Sequence, residues 1–184
     1  PGSLVGSEMC IRDSPEAEVR VATSTKFQHQ GIHEAFPFLQ ESSLIFSGHD
    51  ADLSDCDVVF LAVPNKASLE YTPKLLEQGI RVIDLSGVYR IRDIKIFEES
   101  YALKHSSPEL LQEAVFGLPE YFRSSLSDAR LVANPGCYPT GALLGILPFG
   151  DLLESLDRPP IIDAKSGVSG AGGRVEDDAT NYVE

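Results

Sequence analysis

The run CDVVFLAVP at 56–64 constrains the fold most, because its apolar residues occupy successive positions and a strand built from it has no polar face to show to water. Similar short runs recur as AEVRVATS (17–24), SLIFSG (43–48), IRVIDLS (80–86), ARLVANP (129–135) and PIIDAKS (160–166), and each ends in turn or polar residues. Between them HEAFPFLQ (33–40), KASLEYTPKLLEQG (66–79) and YPTGALLGILPF (138–149) have helical spacing. Apolar strands alternating with helices predict an α/β fold, with a parallel sheet covered on both faces by right-handed crossovers. Pro73 falls inside the second helical segment. Thr72 is therefore expected to cap a short helix, with Pro73 in its first turn and Gly79 at its end.

The 184 residues carry a net charge of −13 and are 42% hydrophobic, enough for a sizeable core in one or two domains. An acidic chain has no basic surface with which to neutralise phosphates, which argues against nucleic-acid binding as the main function. No stretch reaches the roughly 18 apolar residues of a membrane span, and the start lacks the basic-then-apolar order of a signal peptide. A cytoplasmic protein without membrane contact is expected. Cys10, Cys56 and Cys137 form no CxxC pair and no metal-ligand spacing, so free thiols are expected and no metal site. Residues 1–14 have no periodicity and read as a leader unrelated to the fold.

In a parallel sheet, ligands collect at the carboxyl ends of the strands, and four polar clusters fall there. In VANPGCYPTG (132–141), a strand followed by a helix puts Cys137 at a helix N-terminus, where unpaired N–H groups and the helix dipole favour a thiolate. Cys137 is a candidate nucleophile, and the same N–H groups suit a developing oxyanion. A buried structural cysteine in a tight turn is the alternative. In DLSGVYR (84–90), Arg90 can hold a phosphate or carboxylate in bidentate fashion with Ser86 as a hydroxyl donor, or it can pair with Asp84 or Asp93. In KSGVSGAGGR (165–174), glycines and serines can form an anion nest between Lys165 and Arg174, or simply a flexible loop. Ala62 and Pro64 after the strand DVVFL offer a flat wall for a dinucleotide, and Ser24 and Lys26 can meet a ribose or its 2′-phosphate. Glu120 follows a Gly-Leu-Pro turn and either belongs to the site or only starts a helix. All four histidines precede Cys137. His29, His33 and His49 are expected on the surface, and His105 is the one retained as a site candidate.

Taken together and in order, VVFLAVP, VIDLSGVYR, AVFGLPE, LVANPGCYPTGALL and AKSGVSGAGGR resemble the N-acetyl-gamma-glutamyl-phosphate reductases of arginine biosynthesis, within the semialdehyde dehydrogenase family. The resemblance runs from about Pro15 to the end of the chain. It implies a Rossmann-like NAD(P)-binding domain over 15–140 and the start of an α+β catalytic and dimerisation domain over 141–184. It also implies an NADP-dependent oxidoreductase, homo-oligomeric when full-length, that takes a small acyl-phosphate substrate. Cys137 would be the nucleophile that forms a thioester. Arg90, Ser86, Asn134 and Glu120 would meet substrate. Ser24, Lys26, Ala62, Pro64, Ser166, Gly167, Ser169 and Gly170 would meet cofactor.

The chain also departs from that pattern. Its 14-residue leader stands where the family has its first strand and a glycine-rich pyrophosphate loop, and Val88 stands where an acidic residue is common. The family's acid/base histidine lies downstream of Glu184, so the 184 residues alone are expected to have little or no activity. Aminoadipyl-phosphate reductase and aspartate-semialdehyde dehydrogenase share the chemistry, and a non-catalytic nucleotide-binding module is the reading from a different class.

Overall fold

The computed structural model describes residues 14–37, 39 and 43–165. The chain divides into two units, one running to Asp57 and the other starting at Val58.

In the first unit, the segments expected to be strands at 17–24 and 43–48 make only isolated bridges. Thr23 pairs in parallel with Ser47, and Gly31 pairs antiparallel with Ile45. The reason is a change of partner. Ser24 and Ala22 exchange backbone bonds with Ser47, but Phe46 already bonds to His29 and Gln30, and Leu44 bonds to Ile32. No neighbour stays alongside long enough to build a ladder. Burial holds this unit together: Ile32, Leu39 and Phe46 are almost wholly enclosed, with the Phe27, Phe36 and Phe46 rings 5.5–6.1 Å apart. The helix expected over 33–40 is limited to the single turn α1 (Ile32–Ala35).

The second unit is a four-stranded parallel sheet in the order β1 (Val58–Leu61), β2 (Arg81–Asp84), β4 (Leu131–Ala133), β3 (Val115–Phe116). The crossovers are α2 (Asn65–Glu77) between β1 and β2, α3 (Ile94–Tyr101) and α4 (Pro108–Glu113) between β2 and β3, and α5 (Pro119–Ser127) between β3 and β4. After β4 come α6 (Cys137–Ile146) and a 3₁₀ stretch over Leu147–Ser155. The α/β class with a parallel sheet is as the sequence predicts. Burial is less uniform than expected. Val82, Asp84, Leu131 and Ala133 are enclosed, whereas Val58 on the outer strand β1 is 39% exposed. The segment 160–165, also expected to be a strand, is exposed and irregular.

The helix α2 runs through Pro73 rather than starting there. Thr72 is buried inside it, with its hydroxyl 3.4 Å from that of Ser68 one turn earlier. Only the bond that Pro73 would donate to Leu69 is lost, and Leu69, Leu75 and Leu76 packed below keep the helix continuous. Its end matches the expectation. Gly79 has φ +81, Gly79 N–H donates to Leu76 and Ile80 N–H to Leu75, a Schellman closure that turns the chain straight into β2.

Candidate active site

Because the four strands are parallel, their carboxyl ends share one edge, and β4 delivers the loop Asn134–Pro135–Gly136 into α6 there. Cys137 is the first residue of α6, is solvent-exposed and is in no disulfide. Gly136, the N-cap, has no side chain with which to accept the leading amides, and Pro139 has no N–H. The amides of Cys137 and Tyr138 therefore lead the helix without a side-chain acceptor, and the carbonyl of Gly136 takes both the N–H (3.0 Å) and the hydroxyl (2.9 Å) of Thr140. An exposed thiol beside two donor amides is an arrangement for nucleophilic attack on a carbonyl. The buried structural alternative for Cys137 does not apply.

Arg90, in the loop that follows β2, reaches this loop. Its Nε donates to the carbonyl of Asn134 (2.7 Å) and its Nη2 to the carbonyl of Leu85 (2.7 Å). A methyl group at Gly136 would lie 3.3 Å from Nη1, so this glycine makes room for the guanidinium. The ion pairs considered for Arg90 do not form. Asp93 instead caps α3 by accepting from the amides of Lys95 and Ile96, and Asp84 faces inward.

Asp84 is wholly buried. Its Oδ1 accepts from the Ser68 hydroxyl (2.8 Å) and the Ser86 amide (3.2 Å), and its Oδ2 from the Ser86 hydroxyl (2.7 Å). Burial pushes this carboxyl above its usual range, against the opposing pull of those hydrogen bonds and the Arg90 charge. Ser86 therefore differs from its expected role. Its one hydroxyl proton goes to Asp84, while its oxygen accepts the amide of Val88 (3.2 Å), so it braces the loop and has none left to donate to a ligand. Sequence reasoning saw Asp84 only as a partner for Arg90. One of its partners, Ser68, lies 16 residues earlier, so no local signal marked it.

The side chain of Asn134 folds back on its own loop, Nδ2 donating to Pro135 O (3.2 Å), so what it brings to the site is mainly its backbone. Glu120 is exposed in the first turn of α5, after β3. At the end of β1, Ala62 is half-buried and Pro64 exposed, and Pro64 starts α2 without a side-chain cap. The two present a small apolar surface there. Ser24 and Lys26 lie in the first unit. Ser24 Oγ accepts from Phe27 N–H (3.2 Å), exposed Lys26 sits over the Phe27 ring, and the Thr23 and Thr25 hydroxyls both bond to exposed His49. Lys165 is exposed and paired with Asp163. Ser166, Gly167, Ser169 and Gly170, and the leader to residue 13, lie outside the described residues.

His105, the histidine retained as a site candidate, belongs to the interior. It is 8% exposed and packs edge-on against Tyr89 and Phe97, with ring centroids 5.3 and 5.1 Å away. Tyr89 is itself pushed up to about 12 by burial. Ser107 N–H donates to His105 Nδ1 (3.1 Å), so Nδ1 is unprotonated and Nε2 carries the proton. Burial lowers the histidine below its ordinary 6.5, against the pull of Glu109 and Glu98. The unfolded chain then takes up a proton that the folded chain refuses, so stability is complete above the ordinary value and declines as pH falls through it. Urea midpoints at about pH 7.5 and about pH 5.5 should show a larger fall for the wild type than for His105→Gln. Equal falls would remove His105 as the cause.

Family models agree with this architecture. The semialdehyde dehydrogenase NAD-binding domain matches residues 3–129, and the semialdehyde dehydrogenase dimerisation domain matches 137–184. The chain belongs to the semialdehyde dehydrogenase family. Among its relatives, the N-acetyl-gamma-glutamyl-phosphate reductase of Leptospira borgpetersenii serovar Hardjo-bovis (strain JB197) is 44% identical over 99% of this chain and 55% of its own length. The protein of the same name from Halorhodospira halophila is 45% identical over 97% of this chain and 53% of its own. The chain thus spans about half the length of the curated relatives it matches. A solved aspartate semialdehyde dehydrogenase II from Vibrio cholerae, complexed with ASA, superposes with a TM-score of 0.57 at 16% identity. It covers 83% of this chain and 43% of that one, a likeness of fold. Among the described residues no helix is long and apolar enough to cross a membrane, and no group of three or more His, Cys, Asp or Glu residues is placed to hold a metal ion.

Proposed function

We propose that the full-length protein is a cytoplasmic, NADP-dependent reductase of arginine biosynthesis. It would convert N-acetyl-L-glutamyl 5-phosphate to N-acetyl-L-glutamate 5-semialdehyde and release phosphate. The observation that carries this reading is the exposed Cys137 at the uncapped start of α6, on the ligand edge of a parallel sheet and next to an arginine. The Cys137 thiolate attacks the acyl carbon, the bond from that carbon to the phosphate oxygen breaks, and phosphate leaves behind a thioester. The amides of Cys137 and Tyr138 receive the negative charge that develops on the carbonyl oxygen. Nη1 of Arg90, on the side of the guanidinium that faces Gly136, is directed to the phosphate. NADPH held by the cofactor residues would supply hydride to the thioester carbon, after which the carbon–sulfur bond would break to give the aldehyde and the free Cys137.

The wall of Ala62 and Pro64, the loop of Ser24 and Lys26, and Ser166, Gly167, Ser169 and Gly170 are the cofactor contacts in this reading, with Asn134 and Glu120 towards substrate. Residues 15–140 form its NADP-binding domain, and 141–184 begin a catalytic and dimerisation domain. Exposed apolar side chains such as Phe149, Leu152 and Ile161, within the region matched by the dimerisation family model, support a homo-oligomer.

The test is the reverse reaction. The full-length protein is expected to oxidise N-acetylglutamate 5-semialdehyde in the presence of NADP and inorganic phosphate. A higher kcat/KM with aspartate semialdehyde or 2-aminoadipate semialdehyde would overturn the substrate, and absence of any NADP- and phosphate-dependent turnover would overturn the reaction.

A further inference from the structure

We infer that Arg90 is a positioning residue, which locks the loop carrying Cys137 to the end of β2 and so sets the direction of the thiol and of the amides beside it. This role adds to the phosphate contact and rests on the reductase reading only for its kinetic consequences.

Asn134 lies three residues before the thiol. Both of its backbone groups are engaged: its N–H donates to the carbonyl of Asp84 (2.9 Å), and its carbonyl accepts from Arg90 Nε (2.7 Å). The same guanidinium reaches back through Nη2 to the carbonyl of Leu85, the residue that follows β2. One planar group therefore ties the carboxyl ends of β2 and β4 together beyond the last ladder pair, Asp84 with Ala133. Leu85 is in turn held by its own N–H, which donates to Leu61 O (3.0 Å), and the next residue, Ser86, is fastened to buried Asp84 by two bonds.

A fork of fixed geometry suits two carbonyls set apart on different strands, whereas an ammonium is a point charge and cannot bridge them in the same way. Reactions of this kind lose rate steeply when an attacking group is misplaced by about 1 Å. Guanidinium held by two carbonyls, with Gly136 leaving space for Nη1, thus serves the elbow first and the ligand through its remaining face.

Arg90→Lys and Arg90→Met in the full-length protein test this directly. Hydrogen exchange at the amides of 133–138 is expected to quicken at least about tenfold in both variants, while protection of 58–61 and 81–84 persists and shows that the sheet is intact. In the reverse reaction, Arg90→Lys is expected to lower kcat by about tenfold or more, over and above any rise in the KM for inorganic phosphate from the altered phosphate contact. Unchanged exchange at 133–138, or a raised KM for phosphate with kcat preserved, would overturn the positioning role. The exchange measurement needs no turnover, so a wild type that shows a tight elbow without reductase activity would refute the proposed function and leave this role standing.

Discussion

Full-length protein with Cys137→Ser is expected to lose turnover by about a thousandfold or more while binding NADPH as the wild type does. Serine fits the same space at the start of α6 and keeps both leading amides, so the fold and the cofactor contacts proposed at Ala62 and Pro64 are untouched. What disappears is the sulfur nucleophile, since a serine hydroxyl is a far weaker acid than a thiol and needs a base to take its proton. His105 is enclosed by Tyr89 and Phe97. Steady-state assays paired with a titration of NADPH fluorescence separate the two quantities. Turnover within tenfold of wild type would remove Cys137 as nucleophile, and loss of NADPH binding would mean that the substitution had disturbed more than the thiol.

The largest effect on stability is expected at Asp84. Asp84→Ala leaves the Ser68 hydroxyl, the Ser86 hydroxyl and the Ser86 amide without their acceptor inside the protein, and the cost should be about 3–5 kcal/mol in a urea titration. Asp84→Asn keeps the shape and one acceptor oxygen and should cost clearly less. The charge has its own signature. Because burial raises this carboxyl, the folded chain holds the proton more tightly than the unfolded chain. Its contribution therefore favours folding most below the ordinary carboxylate value of 3.8 and weakens as pH rises through the raised value. Wild type should then lose stability relative to Asp84→Asn as the pH is brought up from acid. A loss below about 1 kcal/mol for Asp84→Ala would show that the serines find other partners.

These residues also mark how far the sequence could be read. Alternating apolar strands and helices implied the parallel sheet, and a Pro-Gly-Cys junction between strand and helix implied a thiol at a helix start, with its exposure left open. Both are local patterns, and the structure agrees with both. Arg90 was legible as a residue of the site but not in its partners. The carbonyls of Leu85 and Asn134 carry no residue-type signal, and the second lies 44 positions away. Ser86 was read as a donor to ligand because its neighbour Asp84 gave no sign of facing inward. In the first unit the runs at 17–24 and 43–48 had the right composition for strands, but strand formation depends on a neighbour that stays in register, which composition does not specify.

The sheet order has a consequence for the time course of synthesis. Strand β3 bonds to β4, and β4 also completes the pairing of β2, so the pieces on either side of it remain unjoined until residues 131–133 have left the ribosome. Cys137 follows within a few residues. Cys137 is thus made just after the last strand of this sheet and reaches its place only as the sheet closes.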